Sequence, residues 1–186
     1  MSCVSSARAA RSSGPIAISR SGEIGSLTIN RSTASAILGA WGSPNYTYTG
    51  NVGSGIHPDF IEFGYACHRV HSRYETGVTG VTCAMSFFVS QRTHLLESFT
   101  TTSPRLRLFG GVHVGMAANV ASAREHKPDT VGCLQGIYLY TPDLFVFVST
   151  RGGHAHFVGQ SQLVSGGSVS EISIDQTHLG VGVNAC

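Results

Sequence analysis

The sequence predicts an α+β fold of two related repeats, each with short helices packed on one face of an antiparallel sheet. Three observations carry that expectation. Met85, Phe87 and Val89 alternate with Ser86, Phe88 and Ser90, the period of a strand, and residues 137–140 and 144–150 alternate in the same way. Two short helix-compatible stretches, 34–38 and 117–126, each follow a short extended piece and each end at a Gly or Pro signal. Finally, Gly25 and Gly110 open stretches of the same order 85 residues apart: Leu27 meets Val112, Ile29 meets Val114, Asn30 meets Gly115 and Ala36 meets Ala121.

Read in order, residues 1–22 form a flexible N-terminal arm, 23–104 the first repeat and 105–186 the second. Leu27, Thr28 and Ile29 are extended. Asn30, Arg31, Ser32 and Thr33 offer N-caps to the helix that follows, and Gly39, Gly42 and Pro44 stop it. Residues 45–55 read as a strand entering a loop, 60–63 as a short strand, and 91–94 as a turn between strands 85–90 and 95–101. In the second repeat, 112–116 is extended and 117–126 helical, stopped before Pro128. Four strands follow, 137–140, 144–150, 154–164 and 169–174, joined by hairpin-type turns at Arg151-Gly152-Gly153 and Gly166-Gly167. Two such repeats side by side make a continuous sheet of about eight strands.

Composition excludes several function classes. Charged residues are 12% of the 186, about half the usual share, whereas Gly numbers 23 and Ser 24. A net charge of +2 does not suit a nucleic-acid-binding protein. No long apolar run suits a membrane-spanning helix. At 41% hydrophobic the chain is not disordered by composition.

Of five cysteines, none sits in a C-x-x-C pair, which argues against a zinc ribbon or thioredoxin-type site. Cys67 and Cys83 flank a polar segment as a loop-closing disulfide would, and pairing Cys133 with Cys186 would tie down the C-terminus. Cys3 is then left over, although two bridges among five cysteines allow other arrangements and five free thiols are the alternative. The start, residues 1–14, has no apolar core of a signal peptide. A mature secreted or envelope form with its targeting segment removed is the expected localisation.

The segment GGVHVGMAANVASAREHKPDT, residues 110–130, resembles the opening of small envelope repeats: a Gly-rich strand, V-x-V-G-M, a short helix and a Pro-marked break. Residues 24–45, IGSLTINRSTASAILGAWGSPN, keep the hydrophobic pattern and an L-G-x-W-G-x-P-N break, with Asn30-Arg31 where Gly-Met stands in the second copy. That break resembles the helix ending of SmpA/OmlA-type outer-membrane assembly lipoproteins. Tandem copies resemble the β-lactamase inhibitor protein fold of secreted actinobacterial proteins. The resemblance implies helices on one sheet face with the other face free, and a non-enzymatic binding or scaffolding role without β-lactamase inhibition.

If the aliphatic set Ile137, Leu139, Leu144, Val146 and Val148 packs on the helices, then Tyr138, Tyr140, Phe145 and Phe147 form an aromatic stripe on the outer face. Tyr46, Tyr48 and Phe88 extend it. The alternative is that this strand pair is buried on both faces. Trp41 at the helix-ending break reads as a core plug. His154 and His156 fall two apart on one strand face, a spacing that holds a transition metal if a third ligand arrives, and His68 and His71 form a second loose cluster. There is no G-x-S-x-G elbow, and a hydrolytic pair needs Glu62 and Glu97 on neighbouring strands. The expectation is therefore a non-enzymatic secreted or envelope-associated module. It takes no cofactor and recognises a protein or a surface glycan, not nucleic acid, through its aromatic face. The alternatives are a small His-dependent metal-binding protein or enzyme, and a subunit that assembles through sheet edges.

Overall fold

Strands appear where alternation is clear in the sequence, and further short ones appear where the chain is too briefly extended to show a period. A computed structural model describes residues 14–52, 57–71, 79–124, 136–140, 144–152, 154–158 and 161–176. The elements in chain order are β1 (Ile16–Ala17), β2 (Glu23–Ile24), β3 (Leu27–Thr28), α1 (Ala34–Trp41), β4 (Tyr46–Val52), β5 (His57–Tyr65), β6 (His68–His71), β7 (Thr79–Thr82), β8 (Met85–Ser90) and β9 (Leu96–Thr101). They continue with β10 (Leu106–Arg107), α2 (Ala118–Arg124), β11 (Gly136–Tyr140), β12 (Leu144–Arg151), β13 (His154–Val158), β14 (Ser161–Ser165) and β15 (Ser168–Gln176). The fold is α+β, with one seven-stranded sheet ordered β11-β12-β15-β9-β8-β5-β4. Every neighbour pair in that sheet is antiparallel.

Helix α1 begins at Thr33, whose Oγ1 accepts from the Ala36 N–H at 3.4 Å. It runs through Gly39 and ends at Gly42, where φ is 78° and the N–H donates to Leu38 O. Trp41 plugs the core edge as expected, 5.6 Å from the Phe87 ring and 6.2 Å from Tyr65. The Tyr65 hydroxyl donates to Gly42 O at 3.0 Å, fastening the helix end to β5.

The core lies on one face. Alternate residues Phe87, Phe99, Ile174 and Val146 stand opposite one another across four strands, all between 0% and 2% exposed. Ile18, Ile24, Leu27, Ile37, Leu106, Val112 and Ala121 cover them from the segments before and within the helices. The Phe87 and Phe99 rings meet at 5.1 Å.

Several expectations change. Residues 1–13 of the expected arm lie outside the described residues. From Ile16 the chain is already ordered: β1 pairs parallel with β10, and Ile18 is buried. Residues 112–116 are not a strand. Gly111 and Gly115 take φ of 77° and 89° and turn the chain there, driving Val112 into the core. The expected strand 154–164 is a hairpin of β13 and β14. Helix α2 is described over Ala118–Arg124, and residues 125 and 126 of the expected stretch lie outside the described residues.

Two hairpins are long and bent. β5 continues past Ala66 and Cys67 as β6, and β7 returns past Cys83 and Ala84 as β8. A Cys67–Cys83 disulfide clips that bend, as the sequence suggested. The second expected bridge, Cys133 with Cys186, lies outside the described residues. β12 continues as β13, and β14 returns as β15. In that hairpin the bend carries Gly152, Gly166 and Gly167 at positive φ. Gly64 is buried beneath the clip: a Cβ there would stand 2.5 Å and 2.6 Å from the two sulfurs. Asn45 extends the pairing at the bend, its Nδ2 donating to Cys67 O and its Oδ1 accepting from Cys67 N.

The clip closes a loop of 16-residue separation, which corresponds to about 3 kcal/mol in the loop-entropy account. Cys67→Ala with Cys83→Ala is expected to lower unfolding free energy by about 2–4 kcal/mol in urea titrations, with the core packing unchanged. Burial raises the Tyr65 phenol above 10.0. The folded state therefore favours the neutral form, and its contribution, full below pH 10, is lost as pH rises through the raised value. Tyr65→Phe is expected to cost about 1 kcal/mol at neutral pH and to flatten the alkaline limb of the stability curve.

Candidate functional site

The core takes one set of alternate positions, so the other set defines the outer face. Register lines up Tyr48, Glu62, Phe88, Ser98, Asp175, Phe145 and Tyr140 in one row across all seven strands. The adjacent row is Tyr46, Gly64, Ser86, Thr100, Ser173, Phe147 and Tyr138. Aromatic positions thus stand at both ends of each row and hydroxyl or carboxylate positions in the middle. The expected residues Tyr138, Tyr140, Phe145 and Phe147 share this face by register. Their side chains lie outside what is described.

At the β4 end the side chains are described, and they form a ladder. Tyr48 and Phe60 rings lie 6.2 Å apart, and Phe60 and Phe88 meet edge-on at 5.4 Å. Tyr48 is 49% exposed, its ring folded over Gly50, where any Cβ would collide with it. Glu62 sits beside the ladder and accepts a 2.6 Å hydrogen bond from the Ser86 hydroxyl. The Tyr46 phenol is raised above 10.0, first by burial and then by the Glu62 and Tyr48 charges. Flat aromatic surface with one fixed acceptor beside it can stack on an apolar ligand face while accepting a hydrogen bond from its polar edge.

The middle of the outer face is partly buried. Ser86 is 5% exposed, and Ser98 and Asp175 are 9% exposed. Among the described side chains, the aromatic surface of this face lies at the β4 end, where Phe60, not counted in the sequence expectation, joins Tyr46, Tyr48 and Phe88. Phe60 carried a signal in the sequence: it precedes Glu62 by two on the same strand, hence on the same face.

The remaining candidates separate. Glu62 on β5 and Glu97 on β9 are not on neighbouring strands, because β8 runs between them. Glu97 is the extra residue of a bulge and accepts from the Thr93 hydroxyl, so the pair does not form a hydrolytic site. His154 and His156 stand opposite Ser165 and Leu163 in the β13–β14 hairpin, with side chains outside what is described. His68 is exposed on β6. Among the described residues no three His, Cys, Asp or Glu gather as a metal set, and no helix is long and apolar enough to cross a membrane.

Neither a protein-family model nor a curated protein matches the chain. Among solved structures, the fold is similar to the uncharacterized protein yfeY from Escherichia coli, with TM-score 0.51 and 10% identity over 87% of this chain and 99% of that one. An extracellular protein containing a SCP domain from Bacillus anthracis str. Ames gives TM-score 0.38 and 7% identity over 78% of this chain and 43% of that one. The first likeness is one of fold alone, and the second is too remote in shape to bear on it.

Glu62→Gln is expected to lower the Tyr46 pKa toward 10.0 without reaching it, because burial is the larger cause. Phenolate absorbance followed through an alkaline titration, with Tyr46→Phe as the assignment control, checks this.

Proposed function

We propose that the chain is a non-enzymatic binding module that works outside the cytoplasm and captures a protein or a surface glycan on the outer face of its sheet. The observation that carries the reading is the Tyr48–Phe60–Phe88 ladder with Glu62 beside it, on the face away from the core. Aromatic anchors rimmed by polar groups are the usual composition of a binding hot spot. The stripe of Tyr138, Tyr140, Phe145 and Phe147 extends the same face at its far edge. The Cys67–Cys83 disulfide supports a secreted or envelope location, because such bridges persist in oxidising compartments.

The module is two copies of one unit, a helix followed by antiparallel strands of the main sheet (β4, β5, β8 and β9 in the first, β11, β12 and β15 in the second), in the manner of the SmpA/OmlA-type and β-lactamase inhibitor folds. Paired details support this. Leu96 N–H donates to Ser32 O while Asn30 N–H donates to Leu96 O, and Val169 bonds Met116 and Gly115 in the same two ways. Isolated bridges Thr33↔Leu95 and Ala117↔Ser168 precede the two helices. The β8–β9 ladder bulges at Glu97, and the β12–β15 ladder bulges at Ser170. Asn30 and Gly115, aligned in the sequence, both have positive φ, 64° and 89°.

Phe60→Ala with Phe88→Ala is expected to reduce partner retention from the envelope fraction of the source organism at least tenfold. The loss of one edge-on pair is expected to cost only a few degrees in Tm. Tyr138→Ala with Phe145→Ala is expected to act in the same direction. Retention that persists in both double variants sinks the outer-face assignment.

A further inference from the structure

We propose that β4 is a self-pairing edge, through which two copies of this chain join their sheets about a two-fold axis at Tyr48. Among the described residues β4 ends the seven-stranded sheet and pairs with β5 alone. It lies beyond the core: none of its described side chains, Tyr46 to Gly50, belongs to the buried cluster, and Thr47, Tyr48 and Thr49 are exposed although they alternate between the two faces. The strand is seven residues long, YTYTGNV, with no charge and no Pro. Natural sheets protect such edges with Lys, Pro, bulges or short length. Here the five residues from Tyr46 to Gly50 keep unbroken register with β5, and the bulge comes only between Gly50 and Val52.

The occupant follows from the chemistry of the edge. A row of backbone donors and acceptors accepts only another extended strand. In an antiparallel pairing about a two-fold axis, each residue faces a residue of the same strand, so any charge on β4 would meet a like charge. β4 carries none. Centring the axis on the unbroken segment, at Tyr48, sets Thr47 opposite Thr49 of the second copy and Tyr46 opposite Gly50, and cross-strand Thr pairs are favourable. The opposite edge, β11, is shorter at five residues and begins with Gly136. A β4-to-β11 contact would be head-to-tail and would build open fibres, whereas β4-to-β4 closes at a dimer. A single strand pair buries little area, so the dimer is weak and depends on concentration.

The test variants leave the partner-binding ladder intact, because Thr47 and Thr49 occupy the core-side positions of β4 and not the ladder side. Analytical ultracentrifugation over roughly 1 μM to 1 mM tests it. The full chain is expected to shift from monomer to dimer across that range. Thr47→Lys with Thr49→Lys is expected to raise the dissociation constant at least tenfold with Tm and far-ultraviolet circular dichroism unchanged, since both sites are exposed. Thr47→Val with Thr49→Val, which keeps the strand and adds β-propensity, is expected to tighten the dimer. A chain that stays monomeric throughout, one that polymerises without a dimer plateau, or a dimer indifferent to both double variants overturns the proposal.

Discussion

The pairing of β9 with β15 holds the molecule together. Among the described residues, strands before residue 104 and strands from residue 136 onward meet in the sheet only at this seam, through Ser98↔Asp175, Phe99↔Ile174, Thr100↔Ser173 and Thr101↔Ile172. Two of these pairs point into the core, where Phe99, Ile172 and Ile174 are 0% exposed. Without the seam there would be two smaller sheets, each with an apolar face too narrow to bury. The covering layer depends on it too. Ser32 bonds the first residue of β9, Met116 bonds β15, and those contacts set where both helices begin.

The low charge content takes on a structural meaning on this sheet. Hydroxyls meet the polar needs of the non-core face and the turns at little desolvation cost. Ser90 is buried, and its Oγ accepts from Arg92 N–H and Thr93 N–H in the turn before β9. The Thr101 hydroxyl donates to Ala84 O, and the Ser173 hydroxyl donates to Glu171. A face finished in this way needs few ion pairs, which is consistent with a 12% charged chain that still builds a continuous core.

The long central strands and both helices were legible in the sequence because each carries its own period or cap: Met85–Ser90 alternates, and Thr33 precedes a helix that Gly42 ends. The two-residue strands β1, β2 and β10 were not, since two residues show no period and their pairing partners lie far away in sequence. Residues 112–116 misled for a related reason. Val-x-Val looks like a strand, but glycines on either side take positive φ and make a turn that inserts one valine into the core. The 154–164 run hid a reversal because its alternation continues through both arms of the hairpin. At the candidate site, periodicity placed Phe88 on the outer face. It did not show that Ser86, Ser98 and Asp175 in the middle of that face are buried, because burial there depends on neighbouring residues distant in sequence and not on the period of the strand itself.

The clipped bend has a consequence for how this fold can vary. Cys67–Cys83, seated on Gly64 and bracketed by Asn45, separates the distal part of the β6–β7 arm from the sheet. Past that cross-link the loop is already closed. Lengthening it twofold costs only about 0.6 kcal/mol of closure entropy, and the register of β5 with β8 is untouched. An arm insulated in this way can change in length and composition while the fold beneath it stays constant.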